Sequence, residues 1–210
     1  STSRNCRRLG RVKAIADALD AILVLIRHGA IVRPTDTSNF DRAPLSSEGW
    51  RQMSALVAAW PADKPSAVYC SDLLRSIQSA TILQTAFHVP LIRRECLREW
   101  TADRSDLPQN DYMALERRAW QDFHWIPPSG ESLAMARERI TRCLEGIAVA
   151  HHGETVAVVG HGTVFSHFTT VLRGDVPTEE YKNSIPNASY AVVAHGDSWR
   201  LISDFATAGH

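Results

Sequence analysis

Apolar residues along the chain fall into short blocks set at two different periods. The sharpest block is Ala21-Ile-Leu-Val-Leu-Ile26, an unbroken apolar run that ends in Arg27-His28-Gly29. Such a run predicts a strand buried on both faces that opens into a loop. Ala67 to Cys70, Val89 to Ile92 and Thr155 to Val159 read as further short strands. Between them the spacing is helical. Ser46 or Ser47 caps a helix that runs to about Trp60, where Pro61 stops it, and Ser71-Asp72 caps a second through about Phe87. Ser132 caps a third helix to about Ala150, and a fourth spans Thr163 to Leu172, stopped at Gly174. Residues 189 to 194 and 198 to 202 form a closing hairpin around Gly196-Asp197.

The stretch from Trp100 to Gly130 breaks this rhythm. It holds Pro108, Pro127 and Pro128, a polar Gln109-Asn110-Asp111 turn and three tryptophans, Trp100, Trp120 and Trp125. It reads as an irregular insertion carrying one helix, about 112 to 124. The order β-α-β-α-β-insertion-α-β-α-β-β predicts an α/β fold, a three-layer α/β/α sandwich whose central sheet is mostly parallel with an antiparallel edge hairpin. A single domain over 21–205 is expected, behind an Arg-rich N-terminal extension of residues 1–20.

Composition narrows the function classes. In 210 residues, 23 Lys+Arg balance 23 Asp+Glu, so an extended polyanion such as nucleic acid is an unsuitable partner. The longest apolar run falls far short of the roughly 20 residues a membrane span requires, so a soluble protein is expected. Cys6, Cys70, Cys96 and Cys143 are widely spaced, with no Cys-x-x-Cys, and fit a reduced, cytoplasmic setting. The positive charge is almost all Arg, with Lys at 13, 64 and 182 alone. Guanidinium is the better fork for phosphate, but coding bias produces the same skew, so the count decides nothing.

In open parallel sheets, ligands bind beyond the carboxyl ends of the strands. Arg27-His28-Gly29 follows the first strand and Gly160-His161-Gly162 follows the Thr155 strand, and glycines beside a histidine let backbone approach a bound group. A third strand end leads into Ser71-Asp72-Leu73-Leu74-Arg75. It sets Arg75 in the first turn of a helix, where side chain and helix terminus both favour an anion.

With Asp41-Arg-Ala-Pro-Leu-Ser-Ser-Glu-Gly-Trp-Arg-Gln52 and Leu97-Arg98-Glu99, these segments stand in an order that resembles the histidine phosphatase superfamily, the phosphoglycerate mutase-like fold, from about 21 to 205. The resemblance implies hydrolysis of a small phosphomonoester through a phosphohistidine on His28, with no metal and no cofactor. Arg27, Arg75 and His161 would hold the phosphoryl oxygens, guanidinium and imidazolium charge taking the place of a metal ion. Glu99 would protonate the leaving oxygen, its pKa raised by burial beside Trp100. Gly29, Asn39, Gly162 and Thr163 are candidate substrate contacts. Asn39 substitutes for an Asn often found six residues after the nucleophile, where Pro34 stands.

Two other readings compete: a cofactor-dependent phosphoglycerate mutase, and a feeble phosphate-ligand or phosphoprotein-binding module. The insertion from 100 to 130 is expected to set the substrate. Trp120, Phe123 and Trp125 serve as its packing and are candidates for the pocket mouth. His151 and His152 read as dipole contacts at a helix end, and His124, His167 and His195 as structural or exposed. Substrate identity and oligomeric state stay open.

Overall fold

The computed structural model describes residues 20–35 and 37–208. A six-stranded sheet runs in the order β3-β2-β4-β1-β5-β6, formed by β1 (Ala21–Arg27), β2 (Ala67–Cys70), β3 (Leu91–Arg93), β4 (Thr155–Gly160), β5 (Tyr190–His195) and β6 (Trp199–Ala206). Strands β3, β2, β4 and β1 are parallel, while β5 runs antiparallel to both β1 and β6, which makes the expected edge hairpin.

The period of two along β1 divides the core. Ala21, Leu23 and Leu25 join a cluster on one face, with Leu133, Ile140, Leu144 and Phe165. Ile22, Val24 and Ile26 join the other, with Met53, Leu56, Ala80 and Leu83. Helices α4 (Leu133–Ala150) and α5 (Gly162–Leu172) therefore cover one side, and α1 (Ser47–Ala58) and α2 (Leu74–Phe87) the other. This is the three-layer sandwich that the order of elements predicts. Ser46 caps α1 by accepting from Gly49 N, and Ser132 caps α4 by accepting from Met135 N. Among the described residues, no helix is long and apolar enough to cross a membrane.

Several boundaries differ from expectation. Helix α3 (Gln109–Gln121) starts early, because Pro108 takes the N-cap, where a missing N–H costs nothing, and the polar turn becomes its first coil. A short helix, α6 (Glu179–Ser184), was not expected. Its six residues hold no apolar period, and it starts on a Thr178 side chain that accepts from Tyr181 N. Strand β3 begins only after Pro90, and β6 extends to Ala206. The N-cap of α2 is Leu73 with no side-chain bond, so Ser71 and Asp72 are left for other work.

The expected N-terminal extension, apart from Asp20, and Cys6 lie outside the described residues. The expectation of reduced thiols is corrected at one pair: Cys96 and Cys143 form a disulfide with their Cα atoms 5.8 Å apart. Spacing alone could not show it, because 47 residues separate the two in sequence. Cys70 is a free, buried thiol whose pKa burial pushes up to about 12, so it is inert at neutral pH.

Candidate active site

Strands β2, β4 and β1 are neighbours, and their carboxyl ends are level: Arg27 pairs with Gly160 and Cys70 with Val159. The residue after each strand therefore arrives in one place. His28 follows β1, Ser71 follows β2 with Arg75 one helical turn on, and His161 follows β4 as the N-cap of α5. Beyond β3, a 3-10 turn (Glu95–Leu97) brings in Glu99.

His28 Nδ1 lies 2.8 Å from the carbonyl oxygen of Gly29, which can only accept, so the ring proton sits on Nδ1. Nε2 is left as the basic nitrogen and accepts from Arg75 Nε at 3.2 Å. Burial first, and the Arg75 guanidinium second, push the His28 pKa down to about 3, so the ring is neutral. Asn187 Nδ2 and Ala188 N both donate to the His28 carbonyl at 3.1 Å and hold its backbone in place.

The His161 ring centroid lies 5.2 Å from that of His28. Its Nε2 is 2.7 Å from Ser71 Oγ, which also accepts from Leu73 N at 3.3 Å. Among the described residues that nitrogen is the acceptor facing the buried Ser71 hydroxyl, so the hydroxyl proton goes to Nε2 and the ring proton to Nδ1, a buried atom without a partner among the described residues. Burial, then Arg75, holds the His161 pKa well below its ordinary value. The expected imidazolium is corrected accordingly: His161 is a neutral donor, and the positive charge at the site belongs to the arginines.

Arg75 donates through Nη1 to the carbonyl of Phe40 at 2.6 Å, and Arg27 donates to that of Ile185, while Arg27 Nε is buried without a partner among the described residues. The Glu99 charge acts on both guanidiniums, which places all five candidate residues in one neighbourhood. The Glu99 carboxylate accepts from three main-chain N–H groups: Trp100 at 2.9 Å, Thr163 at 3.0 Å and Val164 at 3.2 Å. Two of these donors belong to the first turn of α5. The Trp100 indole turns away, its Nε1 donating to Glu131 O at 2.7 Å.

The secondary candidates divide. Gly29 N donates to Ser79 Oγ at 3.1 Å, and a Cβ at Gly29 would come within 2.6 Å of Gly49 O. The glycine thus serves the packing of this loop on α1, where a side chain has no room. Gly162 opens α5 beside Arg27, whose guanidinium carbon a Cβ there would meet at 3.4 Å. Thr163 contributes its N–H to Glu99. Asn39 uses Oδ1 to accept from Asp41 N at 2.9 Å and lines the cleft described next. Ser71, Ser79 and Asn187 position the site and were missed as such. Ser79 had a signal, since it stands four residues after Arg75 on the same helix face. Asn187 had none, because tertiary folding alone brings it back to residue 28.

A cleft of about 410 Å³ opens beside Arg75 and Glu99, walled by Asn39, Trp100, Arg104 and Tyr112 among others. Trp120, Phe123 and Trp125 are not part of this wall. Trp120 and Phe123 pack around His167, with centroids at 5.1 and 5.3 Å, and Arg118 covers Trp125. Among the described residues, no group of three or more His, Cys, Asp or Glu side chains is placed to hold a metal ion.

A model of the histidine phosphatase superfamily (branch 1) matches residues 23–205. The Phosphoglycerate mutase-like protein 4 of Arabidopsis thaliana is 30% identical over 66% of this chain and 63% of its own length. The Metal-independent phosphoserine phosphatase of the same plant is 28% identical over 90% of this chain and 82% of its own. Among solved structures, Bacillus stearothermophilus YhfR superposes with a TM-score of 0.74 at 22% identity, covering 88% of this chain and 96% of that one. A mycobacterial glucosyl-3-phosphoglycerate phosphatase superposes with a TM-score of 0.72 at 23% identity, covering 90% and 100%. These last two likenesses establish the fold.

Proposed function

Because the chain belongs to the histidine phosphatase superfamily, we propose that it hydrolyses a small phosphomonoester through a phosphohistidine on His28, without a metal. The observation that carries this reading is the tautomer of His28: Nδ1–H is committed to Gly29 O, and Nε2 keeps its lone pair beside the Arg75 guanidinium. In the reaction, Nε2 attacks phosphorus in line with the ester oxygen. The P–N bond forms, the P–O bond to the leaving group breaks, and Glu99 supplies the proton the leaving oxygen takes up. Arg27, Arg75 and the Nδ1–H of His161 bind the three equatorial oxygens. Water then attacks the phosphohistidine, the P–N bond breaks, and Glu99 recovers a proton. The guanidiniums of Arg27 and Arg75 supply the charge stabilisation that a metal gives in other phosphatases. One of the relatives is named a phosphoserine phosphatase, which makes that ester a natural first probe.

Phenyl phosphate tests the proposal. Hydrolysis in the presence of EDTA, abolished in His28→Ala, with an acid-labile and base-stable phosphoryl group trapped on the wild-type chain, is the expected result. Activity surviving in His28→Ala, or lost to EDTA, would overturn it. Conversion of 3-phosphoglycerate to its 2-isomer, dependent on a bisphosphorylated primer, would replace it with the mutase reading.

A further inference from the structure

The cleft beside Arg75 and Glu99 must take the part of the substrate that is not phosphate, and its charges are nearly all engaged within the protein. Arg98 pairs with Asp41 and with Asp72. Arg139 is held by Glu131 and by the carbonyls of Cys96 and Arg98, at 2.8 and 2.9 Å. Asp103 accepts from Ser105 N at 2.9 Å, Leu107 N at 3.1 Å and the hydroxyl groups of Ser105 and Ser129. Two side chains on the cleft wall remain, Arg104 and Glu95, and neither engages a partner among the described residues.

Both stand on braced backbone. The turn carrying Arg104 is fixed by the Asp103 contacts and by Arg104 N donating to Ser129 Oγ at 3.1 Å. The neighbouring Asp106 then ties it to the 37–39 loop by accepting from Ser38 N at 3.1 Å and Asn39 N at 3.2 Å. Glu95 is followed directly by Cys96, which is bonded to Cys143 on α4. A cation and an anion without protein partners, each on a braced stretch of backbone, thus line the same cleft.

Resting on the phosphatase reading, we propose that the substrate is the phosphate ester of a small zwitterion, an O-phosphorylated amino acid, with its carboxylate on Arg104 and its ammonium on Glu95. A guanidinium takes a carboxylate in a bidentate fork, and a substrate lacking one of the two groups leaves a protein charge unmatched in the cleft.

Four esters of similar size separate the two contacts: O-phosphoserine carries both groups, O-phosphoethanolamine only the ammonium, 3-phosphoglycerate only the carboxylate, and glycerol 3-phosphate neither. The wild-type protein is expected to show the highest kcat/KM on O-phosphoserine, at least about tenfold above each of the others. Arg104→Gln lowers the ratio of O-phosphoserine to O-phosphoethanolamine by about tenfold, and Glu95→Gln lowers the ratio of O-phosphoserine to 3-phosphoglycerate. Ratios that do not move in these variants, or a wild-type preference for glycerol 3-phosphate, overturn the inference. Phenyl phosphate turnover with no turnover of any of the four overturns it too and leaves the phosphatase reading standing. Failure on phenyl phosphate as well removes both.

Discussion

Two histidines at this site carry opposite duties, and a single neighbour assigns the tautomer of each. A carbonyl oxygen fixes the His28 proton on Nδ1, and the Ser71 hydroxyl fixes the His161 proton on Nδ1 as well, so one ring offers a lone pair and the other a donor. In 15N-labelled protein, His28 is therefore expected to stay neutral from pH 8 down to pH 5, consistent with a pKa near 3. A titration midpoint close to 6.5 would contradict the geometry. Ser71→Ala leaves His161 Nε2 buried without its hydroxyl, which costs about 1–3 kcal/mol of stability and frees the tautomer. The nitrogen spectrum should show the Nδ1–H form of His161 in the wild type and a mixture in the variant. The kcat on phenyl phosphate should fall about tenfold, in step with the tautomer, and Ser71→Thr should restore both. A wild-type ring protonated on Nε2 would rule out the positioning role of Ser71.

At the scale of elements, α4 organises the acid. Its N-cap Ser132 follows the turn that holds Glu131, its Arg139 grips the carbonyls of Cys96 and Arg98, and its Cys143 is bonded to Cys96. One helix thus anchors the chain on both sides of Leu97, immediately before Glu99. A bridge between residues 47 apart in sequence restricts the unfolded chain by about 4 kcal/mol on the loop-entropy estimate. Cys143→Ser should lower the urea midpoint accordingly, and a phosphine reductant should move the wild-type midpoint the same way. If the reductant leaves that midpoint where it is, the bridge contributes no stability.

For the molecule as a whole, the formal charge is zero, yet the carboxyl ends of the central strands gather two arginines and two neutral histidines. A local positive field inside a neutral protein suits a small anion and gives little purchase to a polyanion. The same burial sets the response to acid. His28, His161 and His167 all have pKa values lowered in the fold, to about 3, to well below 6.5 and to about 4. The unfolded chain takes up protons at these residues as pH falls through 6.5, while the folded chain does not. Stability is thus complete above about pH 7 and declines as pH falls toward 4, by up to about 1.4 kcal/mol per pH unit for each histidine. Urea unfolding at pH 7, 6 and 5 measures the slope, and His167→Gln should remove one share of it. A flat profile over that range would falsify the burial argument.

The two periods of apolar spacing, the capping serines and the three strand-end motifs were enough to read the sandwich and the sheet's character and to mark Arg27, His28, Arg75 and His161 as candidates, while Glu99 and the roles of all five came from the resemblance to the family. Each of those signals is local, because period, cap and motif all act within a few residues of the chain. What the tertiary structure decided is what depends on distant segments meeting. Asn187 returns to the carbonyl of His28, Ser71 reaches the His161 ring, and Cys96 meets Cys143. Arg104 and Glu95 are left over only when every other charge on the cleft has found its partner. Protonation followed the same division: sequence located the histidines, but burial beside Arg75 is a property of the packed molecule, and it made His161 a neutral donor rather than a cation.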